Sequence, residues 1–484
     1  MKRKITPLIT VSFASAILSL ASCSKDETAD MYAGYDYDRI CVLKAPDLDE
    51  DEFLAYSLHD AVDFDIPVSE AIALMEAVHG PSATTYSSDD ALNVTSVRKF
   101  GRQTYSDADA SAGLYLIELE ADGNAGYSIC SADKRYPEVF AFVPQGSVSD
   151  TVENKALAGF IGNMEAIVRD SVARFNALAQ SRYESAVAKI EAKRQEAMEE
   201  ARYRSATYGV TDPIPPDTSS IWDDPFDFSR CVFSHVDRTD ITKVDNVVAL
   251  KTKWHQCDPY NYLMPYAQGN QMPDPASFKV LAGCVPVAIA QIMAHYRKGY
   301  NISADMWNKI TEAPNINQLQ YPEARTTIQQ MIKYIYDGVK ATPKADGTHA
   351  DDIHYLPFLK SVGFSYSGFA PYSFSRVRSD IVANRILFVV GSNASRGSQH
   401  AWLINGCRRQ IVPEKNVYLC KTVDGRDDYF KVHPNYISRE SYYLRCEWGY
   451  GGESDGWFYE KSMNPYVNNM YLDYKIDEIL YEIK

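Results

Sequence analysis

The window Gly283-Cys284-Val-Pro286-Val-Ala-Ile-Ala-Gln-Ile-Met-Ala-His295-Tyr296 carries the most informative chemistry in the chain. Proline is accepted in the first turn of a helix and excluded from its interior, so a helix here must begin at or just before Cys284. That places a thiol at a helix N-terminus, where unpaired backbone N–H groups and the helix dipole favour negative charge and lower the thiol pKa. A thiolate so placed attacks carbonyls. Val285, Ile289, Ile292, Met293 and Tyr296 form one apolar face, which predicts that the rest of this helix is buried and the nucleophile rigidly held.

A cysteine nucleophile needs a base, and context has to separate the nine histidines. His400 follows a Gly/Ser loop, Gly391 to Ser398, and directly precedes the strand-like run Ala401-Trp-Leu-Ile404, which leaves its ring open at a strand end. An ordinary strand-end histidine would look the same. His295 lies about three turns along the Cys284 helix and reads as packing or surface.

Three motifs in order narrow the choice: Gly283-Cys284-Val, then Gln399-His400-Ala-Trp-Leu-Ile-Asn-Gly406, then Glu447-Trp-Gly-Tyr-Gly-Gly452 followed by Ser454-Asp455-Gly456. Together they resemble the streptopain family of papain-like cysteine proteases, over roughly Val247 to Pro465. Gly126-Tyr-Ser-Ile-Cys-Ser-Ala-Asp-Lys-Arg-Tyr-Pro-Glu138 is similar to part of that family's propeptide. The resemblance implies Cys284 as nucleophile, His400 as general base and Gln256, in Trp254-His-Gln-Cys-Asp-Pro-Tyr-Asn261, as the oxyanion-hole amide. It also implies that Trp448 shields the histidine side of the site. Glu447 stands where the family usually has Asn, and Tyr450 replaces the second Trp of the turn. A carboxylate at Glu447 would still accept a ring N–H from His400 and orient it. Asn405 stands where an Asp is common, on the expected wall of the site.

The elements that must position these residues follow from periodicity. Val68 to His79 has helical apolar spacing and stops at Gly80. Leu114 to Glu120, Gly126 to Ser131 and Val139 to Val143 read as three antiparallel strands. Val152 to about Tyr203 reads as a long amphipathic helix, increasingly charged toward its end. Asp212-Pro-Ile-Pro-Pro-Asp217 breaks all periodicity and marks a linker. Beyond it, helical patterns at Cys284 to Tyr296 and Ile328 to Val339 precede strand-like runs at Ile386 to Val390, Ala401 to Ile404, Tyr442 to Trp448 and Trp457 to Tyr459. Helices first and strands last predict an α+β domain. The expected layout is a targeting segment over 1–22, a tether over 23–52, an α+β propeptide over 53–207, a linker with the maturation site over 208–240, and a papain-like two-subdomain catalytic domain over 241–484.

Lys2, Arg3 and Lys4 precede an apolar stretch, Leu8 to Leu20, too short to span a bilayer. Leu20-Ala21-Ser22-Cys23 resembles the cleavage box of bacterial lipoproteins, which would make Cys23 the acylated residue. Ser24-Lys25-Asp26-Glu27 is similar to signals that route such lipoproteins to the outer face of some Gram-negative bacteria. The expectation is a secreted, surface or outer-membrane lipoprotein held by lipid alone. Lys and Arg number 49 against 64 Asp and Glu, a net charge of -15 that argues against nucleic acid as a partner. No cysteine spacing suggests zinc, so no metal or cofactor is expected. The expected partners are protein or peptide substrates and the chain's own propeptide. Two rival readings stay open: a transglutaminase-like acyl transferase, and a surface binding or inhibitor protein whose site is silenced through Glu447.

Overall fold

The computed structural model describes residues 48–79, 93–100, 113–121, 123–149, 154–208, 231–237, 241–393, 399–421, 428–463, 466–467, 470–471 and 474–484. The lipobox with Cys23 and the Pro-rich stretch 209–230 lie outside them.

The acidic run read as a tether is the start of a helix, α1 (Glu50–Ser57), because Asp49 caps it. The Asp49 side chain accepts the Glu52 N–H at 2.8 Å and Glu52 returns a bond to the Asp49 N–H at 2.9 Å, a reciprocal capping box. Helix α2 (Val68–His79) occupies the predicted span. A four-stranded meander follows, β1 (Asn93–Phe100), β2 (Leu114–Ala121), β3 (Asn124–Ser131) and β4 (Val139–Val143), antiparallel throughout. The first of these strands carried no recognised sequence signal. Then comes α3 (Lys155–Tyr208), a 54-residue helix. Its first five turns bury Leu157, Phe160, Met164, Ile167, Val168 and Val172, at the three- and four-residue steps that keep one face on the core.

The C-terminal part opens with β5 (Cys231–Asp237) and β6 (Thr242–Val247), then the helices α4 (Cys284–Tyr296), α5 (Ala304–Ile310) and α6 (Pro322–Gly338). A small hairpin of β7 (Thr342–Lys344) and β8 (Gly347–His349) leads to α7 (Asp352–Ser361), β9 (Gly368–Ala370) and α8 (Phe374–Val382). The strands β10 (Leu387–Asn393), β11 (Gln399–Lys421), β12 (Asp428–Glu447) and β13 (Gly456–Tyr459) follow. The short pair β14 (Tyr466–Val467) and β15 (Met470–Tyr471) precedes β16 (Tyr474–Tyr481). The mixed helix and strand content agrees with an α+β chain, but β5 and β6 precede the helices and β7, β8 and β9 fall among them, so the expected order of helices first and strands last holds only in part. The runs read as separate short strands at 401–404 and 442–448 are instead the inner ends of one long hairpin, β11 with β12. The predicted linker span 208–240 contains β5, which pairs with the outer half of β11.

One sheet unites these parts, in the order β1-β2-β3-β4-β13-β12-β11-β10-β16-β9 among the described residues, with β5 and β6 also pairing with β11. The N-terminal meander and the C-terminal strands meet at β4 and β13, where Phe142 lies opposite Trp457 and Ala141 opposite Phe458. Gly456 stands at this seam, and a Cβ there would come within 2.4 Å of the Phe142 carbonyl oxygen. Gly162, on an exposed turn of α3, has nothing within 4 Å of such a Cβ. The two glycines predict substitutions of opposite sign. Gly456→Ala will lower unfolding stability by about 1–3 kcal/mol, because backbone must move to admit the methyl. Gly162→Ala will raise it by roughly 0.5–1 kcal/mol through helix propensity. Urea midpoints at constant m value decide both.

Candidate active site

Cys284 is the first residue of α4, and Gly283 before it takes φ +92° with the carbonyl of Thr348 only 3.1 Å from where a Cβ would lie. Only glycine meets both demands, so the chain can turn sharply into the helix and leave the thiol at its N-terminus. Pro286 sits in the first turn, and the residues from Val285 to Ala294 are buried. The sequence predicts a depressed thiol pKa, and the structure reverses the direction. Burial pushes the Cys284 thiol up, against the smaller opposing pull of the backbone N–H groups of Ala401, Val285 and Cys284 itself.

His400 stands on β11, one register position from the β10 partner of Ala401, and is only 7% exposed. Its Nε2–H donates to the main-chain carbonyl of Trp448 at 2.9 Å. A carbonyl only accepts, so Nε2 carries the proton and Nδ1 is left as the basic nitrogen. The ring lies between Trp402, nearly parallel at 6.1 Å, and Tyr450 at 5.5 Å. Burial lowers its pKa from 6.5 to about 4. Thiol and ring face the same cavity, yet no hydrogen bond joins them among the described residues, and each is held in its neutral form.

Glu447 does not take the orienting position that the motif offered it. Its Oε1 accepts from the Asn405 side chain at 3.1 Å and lies 3.6 Å from Arg445. Burial first, and then the neighbouring Asp455 carboxylate, raise its pKa well above the usual carboxylate range and keep it protonated. Glu447 is thus an uncharged acid under the active-site loop, and the backbone one residue later holds the histidine. Asn405, expected on the wall, is fully buried and ties Glu447 to the carbonyl of Val248 at 3.2 Å. Trp448 is fully buried too, its indole packed against Trp402, Phe458 and Phe160, with its centroid 6.4 Å from the His400 ring.

Gln256 reaches the site through main-chain pairing. Its carbonyl accepts the Ala282 N–H at 2.9 Å, and Gln291 on α4 holds the Trp254 N–H at 2.8 Å. These bonds lash the 254–256 segment to α4, the helix that Cys284 opens. Cys284, His400 and Gln256 all line one cavity of about 530 Å³. Three contributors were not read from the sequence. Asp455 accepts the Trp448 N–H at 2.8 Å and Tyr450 flanks the ring; both lie inside the quoted third motif, so a signal for them existed. Ala156, from the start of α3, also lines the cavity, and no sequence pattern connects it to a site 128 positions away.

The neutral ring has a measurable consequence. Between 6.5 and about 4 the unfolded chain takes up a proton at His400 and the folded chain does not. Stability contributed by the neutral ring is therefore complete above that window and lost as pH falls through it. Between pH 7 and 4.5 the wild-type chain will lose more thermal stability than His400→Gln, read as the difference between the two Tm curves; parallel curves would contradict a buried neutral ring. The carboxylate Asp455 anchors the loop carbonyl, so Asp455→Ala will lower activity on peptides by at least about tenfold while leaving the Cys284 thiol present, measured as kcat/KM beside a thiol titration.

No curated protein matches the chain. Residues 254–458 match the model of the Peptidase C10 family. That segment spans Gln256, Cys284, His400 and the loop from Glu447 to Asp455, so the stretch that carries the site is similar to the Peptidase C10 family, the streptopain family of cysteine-type peptidases.

Proposed function

We propose that the chain is a secreted, lipid-anchored cysteine endopeptidase made as a zymogen. The observation that carries this reading is the convergence of Cys284, His400 and Gln256 on one cavity at a helix N-terminus, with Ala156 of α3 lining the same cavity. Catalysis begins when His400 Nδ1 takes the Cys284 proton and the thiolate attacks a peptide carbonyl. The oxyanion rests on the Cys284 N–H and the Gln256 amide, an arrangement in which loss of one donor costs about 3 kcal/mol. The imidazolium then protonates the leaving amine, and water activated by the same ring hydrolyses the thioester.

The N-terminal unit, residues 53–207 as read from the sequence, is proposed as the inhibitory propeptide. Ala156 reaches the cavity, Phe160 packs on Trp402 and Trp448, and Asn163 donates to the Ser462 carbonyl at 2.8 Å. Such a cover reduces the water around both reacting groups, and a poorly solvated thiol and imidazole favour their neutral forms. Removing it readmits water, brings the imidazole back toward its usual range and restores the thiolate–imidazolium pair. Cleavage belongs in the Pro-rich stretch within 208–240 or the charged end of α3 before it. Anchoring through Cys23 would hold the enzyme at an outer-membrane or cell-surface location; among the described residues no helix is long and apolar enough to cross a membrane.

The test is to express Ser24 to Lys484 beside a Cys284→Ala version under reducing conditions and follow chain length and casein hydrolysis. The expected outcome is that only the wild type shortens by the mass of the N-terminal unit and gains activity. A wild type that stays inert after the linker has been cut by trypsin would sink the peptidase reading and favour a surface binding protein.

A further inference from the structure

The cavity around Cys284 has an uneven charge. Its lining includes five carboxylates, Asp346, Asp351, Asp352, Asp477 and Glu478, and no Lys or Arg. Two of them are engaged by cations or a cation-capable ring: Asp346 lies 3.0 Å from His349 and Asp477 3.3 Å from Lys475. The other three act electrostatically on a single buried residue that shares the cavity. Tyr355, in the first turn of α7, is 4% exposed, with its ring packed against Phe388 and Phe369. It lines the cavity, and its hydroxyl has no hydrogen-bond partner among the described residues. The carboxylates that act electrostatically on this hydroxyl are Asp352, Glu478 and Asp351. The ring is buried while the hydroxyl opens onto the cavity without a protein partner, which leaves it free to accept from a donor that enters with a ligand.

The placement is built into the fold from two sides. Asp351 and Asp352 open α7, and Glu478 comes from β16, directly across from Val390 on β10, the strand neighbour of Ala401. The carboxylates thus line the same cavity as Cys284, and Val390 offers an apolar surface there for a side-chain stem.

Resting on the peptidase reading above, we infer that this corner is a side-chain subsite for Lys or Arg. The cationic head of a substrate residue next to the scissile bond donates to the Tyr355 hydroxyl and is neutralised by Asp351, Asp352 and Glu478. The aliphatic stem lies along Val390, as long cationic side chains do on apolar surface. The substrate class is then polypeptides with basic residues at the cleavage site, and acidic side chains are repelled there.

The full chain, activated under reducing conditions, tests this with peptides that differ at one position flanking the scissile bond: Lys, its uncharged near-isostere norleucine, or Glu. The expected kcat/KM for Lys exceeds that for norleucine by about tenfold or more, with Glu last, and added salt narrows the gap. In Tyr355→Phe, and in Asp352→Asn with Glu478→Gln, the Lys-to-norleucine ratio falls toward one. Hydrolysis of all three peptides without preference for Lys overturns the subsite and leaves the peptidase reading standing. If no peptide is cut, the peptidase reading fails, and a binding arm still decides the subsite. N-acetyl-lysine amide and N-acetyl-norleucine amide are titrated into full-length Cys284→Ala and followed by ligand-observed NMR. Selective lysine binding that the Asp352 and Glu478 substitutions abolish supports the subsite, and equal binding overturns it.

Discussion

The hydrogen bond from His400 Nε2 to the Trp448 carbonyl is the contact on which the site's order depends. It fixes which ring nitrogen carries the proton and therefore which one can accept the proton of a thiol. A carbonyl can serve only if its peptide cannot rotate, and three restraints prevent that. The Trp448 N–H donates to Asp455, the indole N–H donates to the Ser454 carbonyl at 2.9 Å, and the indole itself is sealed among aromatic rings. The loop that permits these bonds turns through positive φ at Gly449, Gly451, Gly452 and Ser454. Beneath it, Glu447 and Asp455 divide their roles: Glu447 is neutral beside Asn405, while Asp455 accepts the Trp448 N–H and lies 3.5 Å from Lys253.

The same aromatic cluster links this order to the N-terminal unit. Phe160 of α3 touches both Trp402 and Trp448, so the residues that shape the histidine's surroundings are also those the long helix covers. The cover is held at several distant places. The sheet runs through the β4–β13 seam, Glu138 accepts from Tyr443 at 3.0 Å and from Ser441 at 3.1 Å, and α1 engages the outer hairpin where Arg439 approaches Glu50 and Glu414. The energetic effect at the site is dielectric. Burial disfavours both a thiolate at Cys284 and an imidazolium at His400, so both groups are biased toward their neutral forms.

Much of this was legible in the residues. The Pro286 rule placed the start of α4 at Cys284, and the three- and four-residue steps found α2, α3 and α6, because both signals are local consequences of backbone geometry. The Gly/Ser loop before a strand-like run marked His400. The long hairpin was read as fragments, since its outer half pairs with β5 and packs under α1, and such contacts leave no alternation for a single chain segment to display. Glu447 was placed on the histidine because it stands where the resembled family has Asn; its side chain is instead held by Asn405, and the backbone carbonyl of Trp448 took the role.

What the amino-acid sequence determined alone is the inventory and its local setting: a thiol at a helix N-terminus, a histidine at a strand end, a glutamine in reach, and a glycine-rich turn behind them. Only the tertiary structure decided their state. Burial, the tautomer imposed by a carbonyl, the neutral form of Glu447 and the intrusion of Ala156 into the cavity all arise from contacts between segments far apart in the chain. Spacing along a sequence encodes geometry over a few residues, whereas solvation and charge depend on everything that packs around a group.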